Sequence, residues 1–379
     1  MDRHIGGPAL PGDITSGWLT QALRTNPELA GAEVTDFKYD AVIGEGLTST
    51  MGRLHLTYAD PRPDCPKTLF LKQKILVPDI LAFMAKFKIY AREVLFYQTF
   101  AAENPLNPPR CYYAWIDDDD ADFALLLEDL GKTSTLGQWV GHDLGQAKAA
   151  IAKLGMFHGD YQGRADVAAA DWAPDFAFLA AAKAAPRGEG ERLSATFGPA
   201  FVKKHGHRVT PFLSEHAVEI SDQAPSLYAS FADHPRTLLH GDFHCANMSV
   251  SATDVRVYDW QVIRRGPGVC DLLHYLSWMR RDLRDANLDD LLGIYFQNFT
   301  AQLAGSYDWE VFRNHLKFGL LLHVEHFIML MGGPFGKNEA GERLADFWCD
   351  TFNPLSEQFG LAETWADFLR GERPIRVEG

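Results

Sequence analysis

Between Leu238 and Gln261 the chain reads Leu-Leu-His240-Gly241-Asp242-Phe243-His244-Cys245-Ala246-Asn247 and, further on, Val255-Arg256-Val257-Tyr258-Asp259-Trp260-Gln261. A carboxylate is followed five residues later by an amide, and a second carboxylate stands just past a short apolar strand. No other feature constrains the chain as much. In phosphoryl transfer one Asp takes the proton of the attacking hydroxyl, while an Asn and a second Asp hold magnesium against the phosphates. Taken singly, each residue has an ordinary structural reading, Asp242 as a turn aspartate satisfying backbone amides. As an ordered triple they point to phosphoryl transfer.

The bulk properties leave room for that chemistry. A chain of 379 residues can bury a large core, in two or three domains or in one enzyme split into lobes. Hydrophobic content of 46% with 12% aromatics implies an ordered globular protein. The net charge of −14 argues against nucleic acid or an anionic membrane surface as partner. Cys65, Cys111, Cys245, Cys270 and Cys349 are odd in number and lack CxxC spacing, the pattern of free thiols in a reducing compartment. Residues 1–16 contain no apolar stretch of the signal-peptide kind, and the apolar run 318–331 is short and broken by His323, Glu325 and His326. The expectation is a cytoplasmic protein; its oligomeric state is open.

Hydrophobic periodicity orders the elements. Asp13 to Leu23 predicts a short helix, and Val34 to Ile43 alternates as a strand. A glycine-rich turn from Gly44 to Gly52 leads to a return strand over 53–58, and Thr68 to Lys74 makes a third. One helix is expected from Asp79 to about Phe100, then strands over 111–116 and 123–127 joined by the acidic turn Asp117 to Asp122. From Gly131 the pattern is helical, with 164–192 reading as a looser insertion. Further helices are expected over 269–279, 288–303, 309–331 and 339–359. Within the long N-terminal helix Glu93 emerges from the apolar stripe of Ile89, Phe96, Tyr97 and Phe100. A glutamate there is costly without a cationic partner.

The block around Asp242 resembles the HGDxHxxN…D-W/F-Q signature of the aminoglycoside phosphotransferase and choline kinase-like families, and most of all their ecdysteroid kinase-like branch. The resemblance spans roughly two-thirds of the chain and implies an α+β, protein kinase-like two-lobed fold. Residues 1–130 would form a small antiparallel N-lobe with one helix, and 131–379 a mostly helical C-lobe, with ATP and magnesium in the cleft. It implies Asp242 as catalytic base, Asn247 and Asp259 as magnesium ligands, and Lys72, held by Glu93, as the lysine on the phosphates. Lys74 shares the strand face of Lys72 and competes for that role; Leu69-Phe70-Leu71 resembles the apolar run before the family's lysine. Gly44, Gly46 and Ser49 would lie in a loop covering the phosphates, and backbone groups of Glu128 and Leu130 would meet the adenine.

The acceptor would be a small molecule carrying a hydroxyl. The acidity suits an amine such as an aminoglycoside, and Trp172, Phe176, Trp278 and Phe296 equally suit an apolar alcohol. Two other readings stay open: a kinase-fold nucleotide-binding protein without catalysis, and a zinc hydrolase built on His240 and His244. His323 and His326 read as core or lobe-interface residues.

Overall fold

The structure, a computed structural model, describes residues 5–42, 48–131, 141–185, 193–251, 254–333 and 339–377. The chain divides into two compact units: residues 1–133 with 256–263, and residues 134–255 with 264–379.

The first unit is built on a five-stranded antiparallel sheet. After helix α1 (Ser16–Leu23) come strands β1 (Val34–Ala41), β2 (Ser49–Tyr58) and β3 (Thr68–Lys74), helices α2 (Pro78–Lys86) and α3 (Ile89–Thr99), then β4 (Cys111–Ile116) and β5 (Phe123–Glu128). The spatial order is β1-β2-β3-β5-β4. Alternation along the central strand β3 separates two chemistries. Leu69 and Leu71 join Ile14, Leu19, Leu23, Leu54 and Leu126 in an apolar core under α1. Lys72 stands on the opposite face, paired in register with Met51 and Leu125. On that side Tyr90 of α3 stacks on Phe123 at 4.3 Å, and Phe96 stacks on Trp260 at 3.9 Å.

Two expectations are corrected here. The single helix over 79–100 is two, because Lys88 takes a left-handed backbone (φ 53°) that an α-helix cannot continue through. Ser49 to Gly52, expected in a turn, belong to β2: Ser49 is in register with Lys74 and Gly52 with Leu71.

The second unit is mostly helical. It runs through α4 (Leu144–Tyr161), α5 (Ala165–Ala168), α6 (Phe176–Ala184), α7 (Leu193–His205), α8 (Pro211–Asp222) and α9 (Ala224–Ala229), then short strands β6 (Thr237–Leu239) and β7 (Met248–Val250). Strand β8 (Val255–Val257) carries the chain back into the first unit, and β9 (Arg264–Gly266) returns to pair antiparallel with β6. Helices α10 (Val269–Ser277), α11 (Arg281–Thr300), α12 (Trp309–Gly332), α13 (Glu339–Gln358) and α14 (Leu361–Leu369) complete it. The stretch 164–192, expected as a looser insertion, holds α5 and α6, the latter capped by Asp175 accepting from Phe178 N.

Helix α10 is buried along its whole length, and α4 lies directly against α11. That closeness depends on two glycines, since a Cβ on Gly155 or Gly159 would come 2.6 Å from the carbonyl oxygen of Tyr295 or 2.4 Å from that of Phe299. Among the described residues no helix is long and apolar enough to cross a membrane, and no disulfide joins any of the five cysteines.

Candidate functional site

In the first unit, β3 delivers Lys72 and α3 delivers Glu93 to one buried point, and the chain returning at 256–263 adds Asp259. The Lys72 ammonium lies 2.7 Å from Glu93 Oε2 and 2.7 Å from Asp259 Oδ1. Lys72 is 5% exposed and Glu93 fully buried. The other Glu93 oxygen accepts from the Trp260 N–H at 3.3 Å. This bond follows from the left-handed backbone of Asp259 (φ 67°), a conformation Asp tolerates better than most residues. Burial opposes the charge on Lys72, but Asp259 and Glu93 outweigh it and hold the ammonium protonated well above the ordinary lysine range. Burial likewise raises the Glu93 carboxyl, against the pull of Lys72. Lys74, the competing lysine, pairs with Asp122 of the acidic turn at 2.9 Å.

Gly44 and Gly46 lie outside the described residues. The end of their loop is anchored: Thr48 donates to Gln261 Oε1 at 3.0 Å, and its carbonyl accepts from the Tyr90 hydroxyl at 2.7 Å. Ser49 is buried, with no hydrogen-bond partner for its hydroxyl among the described residues. Beyond β5, the Glu128 carboxylate is gripped by Arg256 at 2.6 and 2.8 Å and the Asp129 carboxylate by Arg53 at 2.6 and 3.0 Å. The Glu128 N–H donates to the Arg110 carbonyl at 2.7 Å.

In the second unit the loop after β6 is held by a carboxylate below it. Asp271 of α10 accepts from the N–H groups of His240 (2.6 Å) and Gly241 (3.0 Å), and Gly241 has φ 87°, open to glycine at little cost. So fixed, the loop presents Asp242 with its side chain 42% exposed. His274 Nε2 lies 3.1 Å from Asp242 Oδ1, while Asn247 Nδ2 donates to Oδ2 at 3.0 Å and His244 Nε2 lies 3.4 Å from it. Burial opposes the charge, but His244 and His274 outweigh it and keep the Asp242 carboxyl well below the ordinary carboxylate range. For His244, burial opposes protonation and Asp242 reverses that, raising it to about 10.

The donors suit a hard divalent cation. Asn247 spends its amide nitrogen on Asp242, so its oxygen remains for a metal, and Asp259 offers an oxygen beyond the one that meets Lys72. Two carboxylates against one ammonium also leave the buried Lys72 cluster one negative charge in excess. Each of Asn247 and Asp259, in its own unit, therefore keeps an oxygen of the kind magnesium takes.

Residues 198–305 match the model of the ecdysteroid kinase-like family. Choline kinase from Cryptosporidium parvum Iowa II superposes with a TM-score of 0.54 at 12% identity, covering 93% of this chain and 99% of that one. The fold is that of the small-molecule kinases. Macrolide 2'-phosphotransferase from Brachybacterium faecium superposes with a TM-score of 0.42 at 14% identity over 89% of this chain and 98% of that one. No curated protein matches the sequence.

Within this kinase fold, reading the sequence missed His274. It stands one helical turn past Asp271 on α10, so a helix that turns Asp271 toward the loop turns His274 there too; that spacing is the signal. The zinc reading fares differently. His244 and His274, not His240, come together with Asp242, their candidate ligand atoms lying within 4.8 Å of one another. His240 instead accepts from the Asp242 N–H at 3.2 Å. Of the four aromatics expected near an acceptor, Trp278 stacks on His244 at 4.7 Å, and Phe176 lines a cavity that also contains His274. Phe296 packs against Trp309 and Phe312, and Trp172 is partly exposed.

Proposed function

We propose that the protein transfers the γ-phosphoryl group of ATP to a hydroxyl of a small molecule. The observation that carries this reading is the Lys72 ammonium, buried between Glu93 and Asp259 at 2.7 Å from each. Burying a lysine with two carboxylates contributes little to stability by itself, since desolvation consumes most of the attraction. A compact, permanently charged group at a fixed point is, however, what the phosphates of a nucleotide require. In this role Lys72 grips the phosphates, Glu93 fixes Lys72, and the Thr48–Gln261 bond sets where the preceding loop begins. Magnesium on Asp259 and Asn247 would neutralise charge on the phosphate oxygens.

Asp242 orients the acceptor hydroxyl and accepts its proton as the oxygen bonds to the γ-phosphorus and ADP departs. Held ionised by His244 and His274, it is ready for that role across the physiological range. High basicity is not needed, because the loose transition state asks mainly for orientation. Cysteines without disulfides suit the reducing, ATP-rich cytoplasm, and the charge of −14 suits neither nucleic acid nor an anionic membrane as partner.

Thermal-shift titration with ATP and magnesium tests the nucleotide half: a magnesium-dependent rise in Tm, lost in Asp259→Ala, is expected. The catalytic half predicts that Asp242→Ala lowers turnover by roughly 10²- to 10⁴-fold while nucleotide binding is retained. Absence of any nucleotide shift, or wild-type turnover in Asp242→Ala, overturns the reading.

A further inference from the structure

Behind the loop that presents Asp242, three buried polar side chains of the second unit form a chain. Asp271 of α10, whose oxygens accept from the His240 and Gly241 N–H groups, is met from α4 by His158, with Nε2 3.4 Å from Asp271 Oδ2. His158 Nδ1 lies 2.8 Å from the hydroxyl of Tyr295 on α11. Exposure is zero for His158 and Asp271 and 1% for Tyr295, so bulk water does not compete for these bonds. The tautomer follows from the partners. A carboxylate only accepts, so Nε2 of His158 carries the proton that faces Asp271, and Nδ1 accepts from the Tyr295 O–H.

The surrounding fold is shaped to this contact. His158 also holds the strand that leads into the loop, because Thr237 at the start of β6 donates its hydroxyl to the His158 carbonyl at 2.7 Å. Gly268 leaves the necessary room: a Cβ there would lie 2.6 Å from His158 Nδ1 and closer still to the Tyr295 hydroxyl. Gly155 and Gly159 flank His158 on α4 and bring α11, which carries Tyr295, against it. Burial opposes the charge on Asp271, but His158, His240 and Arg264 outweigh it and hold the carboxyl below its ordinary range, as an acceptor for the loop amides. Packing alone does not require this arrangement. An apolar side chain would fill the space between α4, α10 and α11 at lower desolvation cost.

We propose that His158 and Tyr295 are positioning residues for phosphoryl transfer, acting through Asp271 to fix where the 240–242 loop holds the Asp242 carboxylate. Each member of the chain removes a freedom from the next. Tyr295 fixes the ring of His158, His158 fixes the carboxylate of Asp271, and Asp271 fixes the two amides that precede the base. A loose transition state asks its base mainly for orientation, and a displacement of about 1 Å can lower the rate about 100-fold. This assignment rests on the phosphotransferase reading and extends it from the base to the scaffold behind it.

The test uses the full chain with Tyr295→Phe, His158→Leu and His158→Gln, each assayed for magnesium-dependent ATP hydrolysis with water as the acceptor, well below its unfolding temperature. Tyr295→Phe should lower kcat about 3- to 10-fold, the contribution of one hydrogen bond, with the KM for ATP unchanged. His158→Leu should lower kcat about 10- to 100-fold, again at constant KM. His158→Gln, whose side-chain amide can still donate to Asp271, should recover part of that loss. Adding Tyr295→Phe to His158→Leu should lower kcat no further, since the two act along one path. Hydrogen exchange followed by mass spectrometry should show the segment carrying the His240 and Gly241 amides exchanging at least about threefold faster in Tyr295→Phe, and faster again in His158→Leu. Wild-type kcat in Tyr295→Phe, a loss carried by KM, or additive losses overturn the proposal, and so does unchanged exchange in the loop. Should His158→Leu not fold, Tyr295→Phe and His158→Gln still decide. Where the wild type hydrolyses no ATP, the loop amides decide. Loosened amides without any nucleotide-dependent Tm shift keep the role of His158 and Tyr295 in holding the loop and overturn the phosphotransferase reading.

Discussion

Burial holds His142, His205 and His234 at about 4, so each is neutral in the fold at pH 7. The unfolded chain protonates them near 6.5. Their contribution to stability is therefore complete above that value and is lost as pH falls toward 4, by up to about 1.4 kcal/mol per pH unit for each group. His244, raised to about 10 by Asp242, acts in the opposite sense: its contribution is complete below 6.5 and is lost as pH rises through 10. Urea midpoints measured from pH 4 to 10 should pass through a maximum near neutrality. His142→Gln, which can keep a bond to the Tyr275 hydroxyl, should flatten the acid limb, and His244→Gln the alkaline limb. Residues of this kind were only partly legible in the sequence. Glu93 could be found because a carboxylate on an apolar stripe demands a cation, and the structure places Lys72 against it.

At the scale of elements, α10 positions the loop that presents Asp242. Asp271→Ala would leave the N–H groups of His240 and Gly241 buried without acceptors, at a cost of about 2–6 kcal/mol for the pair. Chemical denaturation should show that loss, and turnover should fall further than the stability change alone would explain. The α4–α11 contact makes a second case. Alanine in place of Gly155 would add up to about 1 kcal/mol of helix propensity, yet its Cβ would lie 2.6 Å from the Tyr295 carbonyl oxygen. Overpacking against a rigid backbone costs about 1–3 kcal/mol, so the clash should win and Gly155→Ala should lower Tm. Periodicity gave most elements correctly, including the sheet strands and the long α12. It failed at Lys88, whose positive φ breaks a helix that has neither Gly nor Pro at that position. It failed again at 49–52, where small residues that read as a turn are carried into the sheet by pairing with β3. Both outcomes are decided by tertiary partners that local pattern does not encode.

At the scale of the whole molecule, the first unit is not a continuous piece of chain, because residues 256–263 belong to it. They contribute Asp259, one of the two counterions of Lys72, and Trp260, on which Phe96 stacks. A fragment of residues 1–133 would bury Lys72 with one carboxylate and leave the face of Phe96 bare. It should unfold without a cooperative transition, followed by circular dichroism, and a peptide spanning 254–264 should partly restore one. The interrupted unit also has a consequence in time. At the usual pace of about 5–20 residues per second, a ribosome needs roughly 6–26 seconds to travel from residue 133 to residue 263. For that interval the nascent sheet waits with an exposed aromatic and an under-neutralised lysine. This is a window in which a cell's chaperones, rather than the final energy of the fold, set the yield.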